Sequence, residues 1–112
     1  MPKETGDSSR KDDGKLPWQL LPYDALEEVV RVYAIGAAKY QPRGWESGMD
    51  WSRMYGPLQR HLKKWWQDNE SFDQTDGQHH LAAVAWAALG LLAYELRGIG
   101  NDDRPTSKPV SG

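Results

Sequence analysis

The chain has 112 residues, no cysteine and a formal net charge of −2 at pH 7. Its length fits one domain, the lack of cysteine excludes disulfides and thiolate zinc sites, and the negative charge provides no field that attracts nucleic acid. The longest apolar run, residues 81–96, is interrupted by Gly90 and Glu95 and falls short of the ~20 residues that span a membrane. The polar start is no secretory signal. We therefore expect a cytoplasmic protein with no nucleic-acid or membrane partner.

Composition divides the chain into three parts. Residues 1–15 and 98–112 are rich in charged and small side chains, and both are predicted to be disordered tails because they lack the apolar groups that would offset the entropy of ordering. Residues 16–97 are predicted to form one helical domain. A core domain of roughly 80 residues is short for an isolated enzyme, so a homodimer or homotetramer is expected.

The first predicted helix covers residues 22–40, after a short helical turn within residues 16–22. One face carries apolar residues at helical spacing, and the opposite face also carries apolar residues, so the helix is expected to be covered on both sides. The first face holds Leu26, Val29, Val30, Tyr33 and Ala37, and the second holds Val32 and Ile35 beside Asp24, Glu28 and Lys39.

Acidic side chains cluster in the first turns of this helix. Glu28 is predicted to lie between Val32 and Ile35, where an ionised carboxylate costs several kcal/mol unless a cation lies nearby. Asp24 is one turn earlier and Glu27 is at the rim. Carboxylates one turn apart can share Mg²⁺ or Mn²⁺. Spacing alone favours the alternative, in which these acids only stabilise the helix dipole.

A loop at residues 41–50 and a second predicted helix within residues 51–69 follow. The Gly56-Pro57 pair predicts either a kink or a start delayed to Pro57. Basic side chains in this region suit a triphosphate, because Arg and Lys bind phosphate oxygens, although a solvated rim is the alternative. Trp18 and Trp45 are candidates for stacking on a base. The basic residues are Lys39, Arg43, Arg60, Lys63 and Lys64, with His61 among them.

The third predicted helix runs from about Gln78 to Arg97, and Gly98 is its predicted stop. Asp73 and Asp76 precede the adjacent pair His79 and His80. If the helix begins near Asp76, that carboxylate would cap it and lie over His80, which points to the other helices. A helix-end histidine with no ligand role is the alternative. Three helices with short connections and no strand predict an all-α, antiparallel bundle of three to four helices.

Four motifs, taken together, resemble a known family over residues 14–97. They are "LLPYDALEEVV", "GAAKYQPRGW", "RHLKKWW" and "DQTDGQHHLAAVAWAALGLL". The chain resembles the phage and bacterial dATP/dGTP diphosphohydrolases, which include MazZ-type enzymes and are related to the MazG-like all-α nucleoside triphosphate pyrophosphohydrolases. The resemblance implies an all-α enzyme that uses Mg²⁺ or Mn²⁺ to cleave a purine (d)NTP to (d)NMP and pyrophosphate.

The resemblance, with the local patterns above, also gives a candidate site. The catalytic candidates are Glu28 and Glu27. The candidate metal ligands are Asp24, Glu27, Glu28, Asp76 and His80. The candidate substrate-binding residues are Lys39, Tyr40, Arg43, Trp45, Arg60, His61, Lys64 and Asp73.

The chain departs from the family pattern at three positions. Many relatives carry a glutamate near Thr75, a histidine at Ala83 and an asparagine at Ala87, so this chain offers fewer ligands on its third helix. The main alternative function is therefore a catalytically silent helical module that binds nucleotides or a protein partner. A DNA-binding helical protein ranks third, because the basic residues are scattered and the net charge is negative.

Overall fold

A computed structural model describes residues 14–106. It contains three α-helices within that range: α1 (Tyr23–Lys39), α2 (Ser52–Trp66) and α3 (His80–Arg97). Short 3-10 turns lie at Trp18–Leu20 and Gly44–Ser47, and the described residues form isolated bridges but no β-strand. The all-α prediction is confirmed. The predicted tail residues 1–13 and 107–112 lie outside the described range.

Helix α3 packs against both α1 and α2. A hydrophobic core lies between α1 and α3, where Val29 and Val32 of α1 are buried together with Ala82 of α3. The predicted apolar stripe is wrong at Val30, whose side chain is 58% exposed. Because both faces of α1 carry apolar residues, periodicity could not determine which one meets α3, and the buried face is rotated towards Val32. None of the helices in residues 14–106 is both long enough and apolar enough to cross a bilayer.

Helix α2 runs without a break through Gly56 and Pro57, so a start delayed to Pro57 is wrong. The first turn forms because the carbonyl of Trp51 accepts hydrogen bonds from the backbone N–H groups of Met54 and Tyr55 at 3.0 and 3.1 Å. Proline removes only one backbone donor from the helix. Contacts with the segment after α3 then hold this first turn in place.

That segment, residues 98–106, is predicted by composition to belong to the C-terminal tail, and it lies against the start of α2. The indole Nε1 of Trp51 donates to the carbonyl of Ile99 at 3.1 Å, and the backbone N–H of Ser52 donates to the Asp103 carboxylate at 2.9 Å. Gly100 allows this approach: it has a φ of +79°, and a Cβ there would lie 2.9 Å from Trp51 Nε1. A side chain at this position would separate the two segments.

Helix α3 begins at His80, with His79 as its N-cap: His79 Nδ1 accepts a hydrogen bond from the backbone N–H of Leu81 at 3.0 Å. The prediction that Asp76 caps the helix is wrong, because the chain stays extended through His79 and Asp76 instead accepts from the backbone N–H of Gln78 at 3.2 Å. Gly98 ends the helix in the left-handed conformation, as predicted. The buried residues of α3 are His80, Ala82, Ala83, Ala87, Gly90 and Tyr94.

Candidate functional site

The loop between α2 and α3 folds back on itself and delivers two side chains to one place. Phe72 forms an antiparallel bridge with His79, and the backbone N–H of Asp73 donates to the carbonyl of Gln78 at 2.8 Å. The backbone N–H of His80 donates to the carbonyl of Ser71 at 2.9 Å, which closes the loop at its base. Asp73 is thereby held beside the first residue of α3.

His80 is fully buried and both of its ring nitrogens have a polar neighbour. Its Nε2 lies 2.7 Å from Oε1 of Glu70, and its Nδ1 lies 2.8 Å from Nδ1 of His61 on α2. A carboxylate can only accept, so Nε2 of His80 donates to Glu70. In the neutral form of His80 the other ring nitrogen, Nδ1, carries no hydrogen and faces His61.

His61, Asp73 and His80, here called the histidine–aspartate group, bring potential metal-ligand atoms within 4.8 Å of one another. Burial, followed by the nearby His80, lowers the pKa of His61. Hydrogen bonding from the backbone N–H of Thr75 lowers the pKa of Asp73. A neutral imidazole and an ionised carboxylate are the protonation states that metal binding requires.

A groove runs between the three helices next to this group. Val32 and Lys39 of α1, His61 of α2 and the Ala83 and Ala87 methyl groups of α3 are among its walls. We call it the central groove. It encloses about 220 Å³. His61 borders both the groove and the histidine–aspartate group.

Four of the predicted site residues meet at the central groove: Lys39, Tyr40, His61 and Asp76. Lys39 Nζ lies 3.9 Å from Oδ2 of Asp76, and the Lys39 side chain is 52% exposed. The Asp76 carboxylate also accepts a hydrogen bond from the Gln78 side-chain amide at 2.9 Å. The mouth of the groove thus carries one positive and one negative side chain, both within reach of solvent.

The α1 acids do not join this arrangement. Arg31, one turn later on the same helix, pairs with two of them: its Nε lies 3.3 Å from Glu28 and its Nη2 lies 3.8 Å from Glu27. Asp24 accepts a hydrogen bond from the backbone N–H of Ala25 at 2.8 Å. The Glu28 side chain is 43% exposed. Arg31 is the cation that lies near its carboxylate. The structure does not bring these three acids into the histidine–aspartate group, so the five predicted metal ligands do not converge.

The loop residues Arg43 and Trp45 already have partners within the protein. The Glu46 carboxylate bridges Arg43 at 2.8 Å and Arg97 at 2.9 Å. The Trp45 ring packs edge-on against Tyr33, with ring centroids 6.4 Å apart, and the Arg97 guanidinium lies 5.5 Å from its centroid. Trp45 therefore joins the loop to the helices. Two further predicted substrate residues, Arg60 and Lys64, are exposed on α2.

Sequence patterns do not single out Glu70, although it contacts His80. It lies in a polar loop ten residues before its partner, where no periodicity or spacing rule links the two side chains. Asn69, with a φ of +54°, turns the chain immediately before it. The pairing depends on the fold of the whole loop.

Comparisons with known proteins show to which family the chain belongs. A family profile described as dATP/dGTP diphosphohydrolase, N-terminal, matches residues 5–104. A protein of Salmonella phage PMBT28, described as a dATP/dGTP diphosphohydrolase, is 34% identical over 101 residues, which are 90% of this chain and 34% of that protein. The chain thus spans about a third of the length of that relative. No solved structure matches. The chain belongs to the dATP/dGTP diphosphohydrolase family, in which it corresponds to the N-terminal region.

Proposed function

We propose that the chain hydrolyses a purine deoxynucleoside triphosphate, dGTP or dATP, to the monophosphate and pyrophosphate. Membership of the family supports the substrate class. The observation that carries the proposal is the central groove, which has Lys39 at its mouth and the histidine–aspartate group beside it. A cation for phosphate oxygens and a set of metal donors next to one groove are the elements that phosphoanhydride cleavage needs.

The size of the central groove indicates how a nucleotide would lie. Pockets that enclose small molecules usually measure roughly 300–1,000 Å³. The groove is smaller, at about 220 Å³, so it accommodates one part of the nucleotide while the remainder extends across the mouth. Lys39 and Tyr40, both exposed there, would contact that remainder. Lys39 supplies a point charge to phosphate oxygens, and the Tyr40 ring supplies a surface for a sugar or base.

A divalent cation, Mg²⁺ or Mn²⁺, is part of the proposal. When bound, it supplies positive charge that neutralises phosphate oxygens and lowers the pKa of an attacking water. Asp73, the carboxylate of the histidine–aspartate group, would supply an oxygen ligand of the kind that such an ion prefers. Asp76 would approach the ion from the mouth of the groove.

Glu28 is proposed as the carboxylate that helps to orient or deprotonate the water. It lies one helical turn before Val32, a residue that lines the central groove, and residues four apart share a helix face. Its only ion pair among residues 14–106 is with Arg31, and its side chain is 43% exposed, so it is free to change partner when a substrate binds.

The test is a panel of dGTP, dATP, dCTP and dTTP, each assayed with Mg²⁺ or Mn²⁺ for pyrophosphate and for orthophosphate. Pyrophosphate release with a purine preference supports the proposal. Orthophosphate release without pyrophosphate would indicate a different hydrolase, and the absence of both products would refute hydrolysis by this chain. Boiled protein and a Lys39→Met variant are the controls.

One observation favours a second candidate, a nucleotide-binding module without activity. Ala83 and Ala87 present only methyl groups to the central groove, so α3 offers no polar side chain at these two positions. Binding of a non-hydrolysable dGTP analogue, with no product from dGTP itself, would establish this alternative.

We further propose that the protein self-associates through α3. Four leucines form an exposed stripe along one side of this helix. Burying a fully exposed leucine contributes roughly 1.5–3 kcal/mol, and each of these would contribute the share that its exposed fraction leaves. Their exposed fractions are 36% for Leu81, 43% for Leu89, 52% for Leu92 and 77% for Leu96. A second copy of the chain is the simplest cover for a stripe of this length.

A further inference from the structure

We infer that the histidine–aspartate group is a binding site for a first-row transition-metal ion such as Co²⁺ or Zn²⁺, which it prefers to Mg²⁺. The inference begins with the donor atoms. Imidazole nitrogens suit these ions, whereas Mg²⁺ requires oxygen ligands and gives up its water reluctantly. The group supplies two imidazoles from His61 and His80 and only one carboxylate, from Asp73.

The three donors are held by three separate parts of the fold. His61 lies on α2, Asp73 is fixed by the loop and by the backbone N–H of Thr75 at 2.7 Å, and His80 is the first residue of α3. His80 is fully buried, so its ring orientation is set by packing. Donors fixed in this way lose little freedom when an ion binds.

Glu70 completes the arrangement from outside the group. Metal-bound histidines usually donate their second ring N–H to a carboxylate, which fixes the tautomer and makes the ligating nitrogen more basic. Glu70 makes this contact with Nε2 of His80 at 2.7 Å, and its other oxygen accepts from the Gln74 side chain at 3.0 Å. Glu70 is therefore a positioning residue that aims Nδ1 of His80 into the group.

The short His61–His80 contact is compatible with an ion. The two Nδ1 atoms are 2.8 Å apart, a hydrogen-bond distance, and His61 is the donor when Nδ1 of His80 carries no hydrogen. Metal–nitrogen bonds of about 2.0–2.1 Å on a tetrahedral ion separate two nitrogens by about 3.3 Å. His61 is half-buried on the side of the central groove, so its ring can make this shift of about half an ångström.

The experiment measures metal binding directly. The 112-residue chain without a polyhistidine tag is stripped with a chelator and titrated with Co²⁺, whose visible absorption reports its coordination by the protein. We expect one Co²⁺ per chain, no displacement by a 100-fold excess of Mg²⁺, and loss of the absorption bands on addition of Zn²⁺. No Co²⁺ spectrum, or displacement by Mg²⁺, would overturn the inference.

Variants locate the site. His61→Ala and Asp73→Asn each remove one donor and should weaken Co²⁺ binding by about 10-fold or more. The amide oxygen that replaces the Asp73 carboxylate can still accept the hydrogen bond from Thr75, which keeps the loop folded. Glu70→Gln should weaken binding by about 10- to 100-fold and alter the absorption spectrum. His79→Asn is the matched control, because asparagine preserves the N-cap and should leave Co²⁺ affinity unchanged.

Equal weakening by His79→Asn and His61→Ala would place the ion elsewhere and refute the assignment. The inference shares a site with the proposed hydrolysis, but their failures are distinguishable. Co²⁺ binding without pyrophosphate release supports the metal site and refutes the hydrolase. Hydrolysis of dGTP with Mg²⁺ in a protein that binds no Co²⁺ refutes the metal site and supports the hydrolase.

Discussion

Gly90 of α3 lies directly against Met54 of α2, so close that a Cβ on residue 90 would be 2.9 Å from the Met54 sulfur. Met54 is 2% exposed and has little room to move. Glycine within a helix costs about 1 kcal/mol relative to alanine. Here that cost permits the close approach of the two helices that carry His61 and His80.

Gly90→Ala is expected to lower the free energy of unfolding by about 1–2 kcal/mol, because overpacking outweighs the gain in helix propensity. In a Met54→Ala background the same substitution should cost less, or stabilise, because the new methyl group enters the space that Met54 leaves. Urea unfolding of the four proteins of this cycle measures the coupling, which should reach about 1 kcal/mol. Additive effects would contradict the contact.

Lys39→Met is expected to reduce kcat/KM for dGTP by about 10- to 100-fold, because a hydrogen bond to a charged group contributes about 1.5–3 kcal/mol. Stability should change by less than about 0.5 kcal/mol, since exposed ion pairs contribute little and the Lys39–Asp76 pair is long, at 3.9 Å. Lys63→Met, an exposed lysine on α2, is the control. Equal losses from both variants would indicate a general charge effect.

Glu28→Gln is expected to reduce kcat by about 100-fold or more, the contribution of a positioned carboxylate in proton transfer. Steady-state kinetics with dGTP measures the loss, and Glu95→Gln, an exposed acid on α3, is the control. Full pyrophosphate release by the Glu28 variant would exclude Glu28 from the reaction.

The contact between Asp103 and Ser52 should depend on pH. Hydrogen bonds from Ser52, its hydroxyl and then its backbone N–H, lower the pKa of Asp103 below its usual value of 3.8. Because the folded pKa is depressed, the contact stabilises the fold above the unfolded pKa, and this stabilisation is lost as pH falls through the folded pKa. NMR titration of the carboxyl should show the low pKa, and Ser52→Ala should raise it. An unchanged pKa in Ser52→Ala would refute the contact.

Leu92→Lys should convert an oligomer into monomers, because it places a charge in the leucine stripe of α3. Light scattering after size exclusion measures the molar mass. Leu20→Lys, at a more exposed leucine on the first 3-10 turn, should leave the mass unchanged. A wild-type protein that is monomeric at all concentrations would refute self-association.

The three helices were predictable because their apolar spacing is local and their ends carry local signals, such as Gly98. The passage of α2 through Pro57 was not, because its first turn is held by residues 99–103, far along the chain. The buried face of α1 includes Val32 because that face packs against α3, a contact that the α1 sequence alone does not indicate. The sequence patterns therefore predicted the helices, whereas the contacts between the helices could be identified only from the structure.

The candidate site shows the same division. Motifs identified His61 and Asp73 as substrate-binding candidates and His80 as a metal ligand, because nothing local indicates that the three meet. Glu70 carries no motif of its own. The α1 acids formed the clearest cluster along the chain, yet Arg31, one turn later on the same helix, already compensates two of them.

The alanine floor of the central groove makes its depth adjustable. Because Ala83 and Ala87 end in single methyl groups, a larger side chain at either position shortens the space available to a bound molecule. A variant such as Ala87→Val, paired with a ligand trimmed by the matching volume, would form an orthogonal pair.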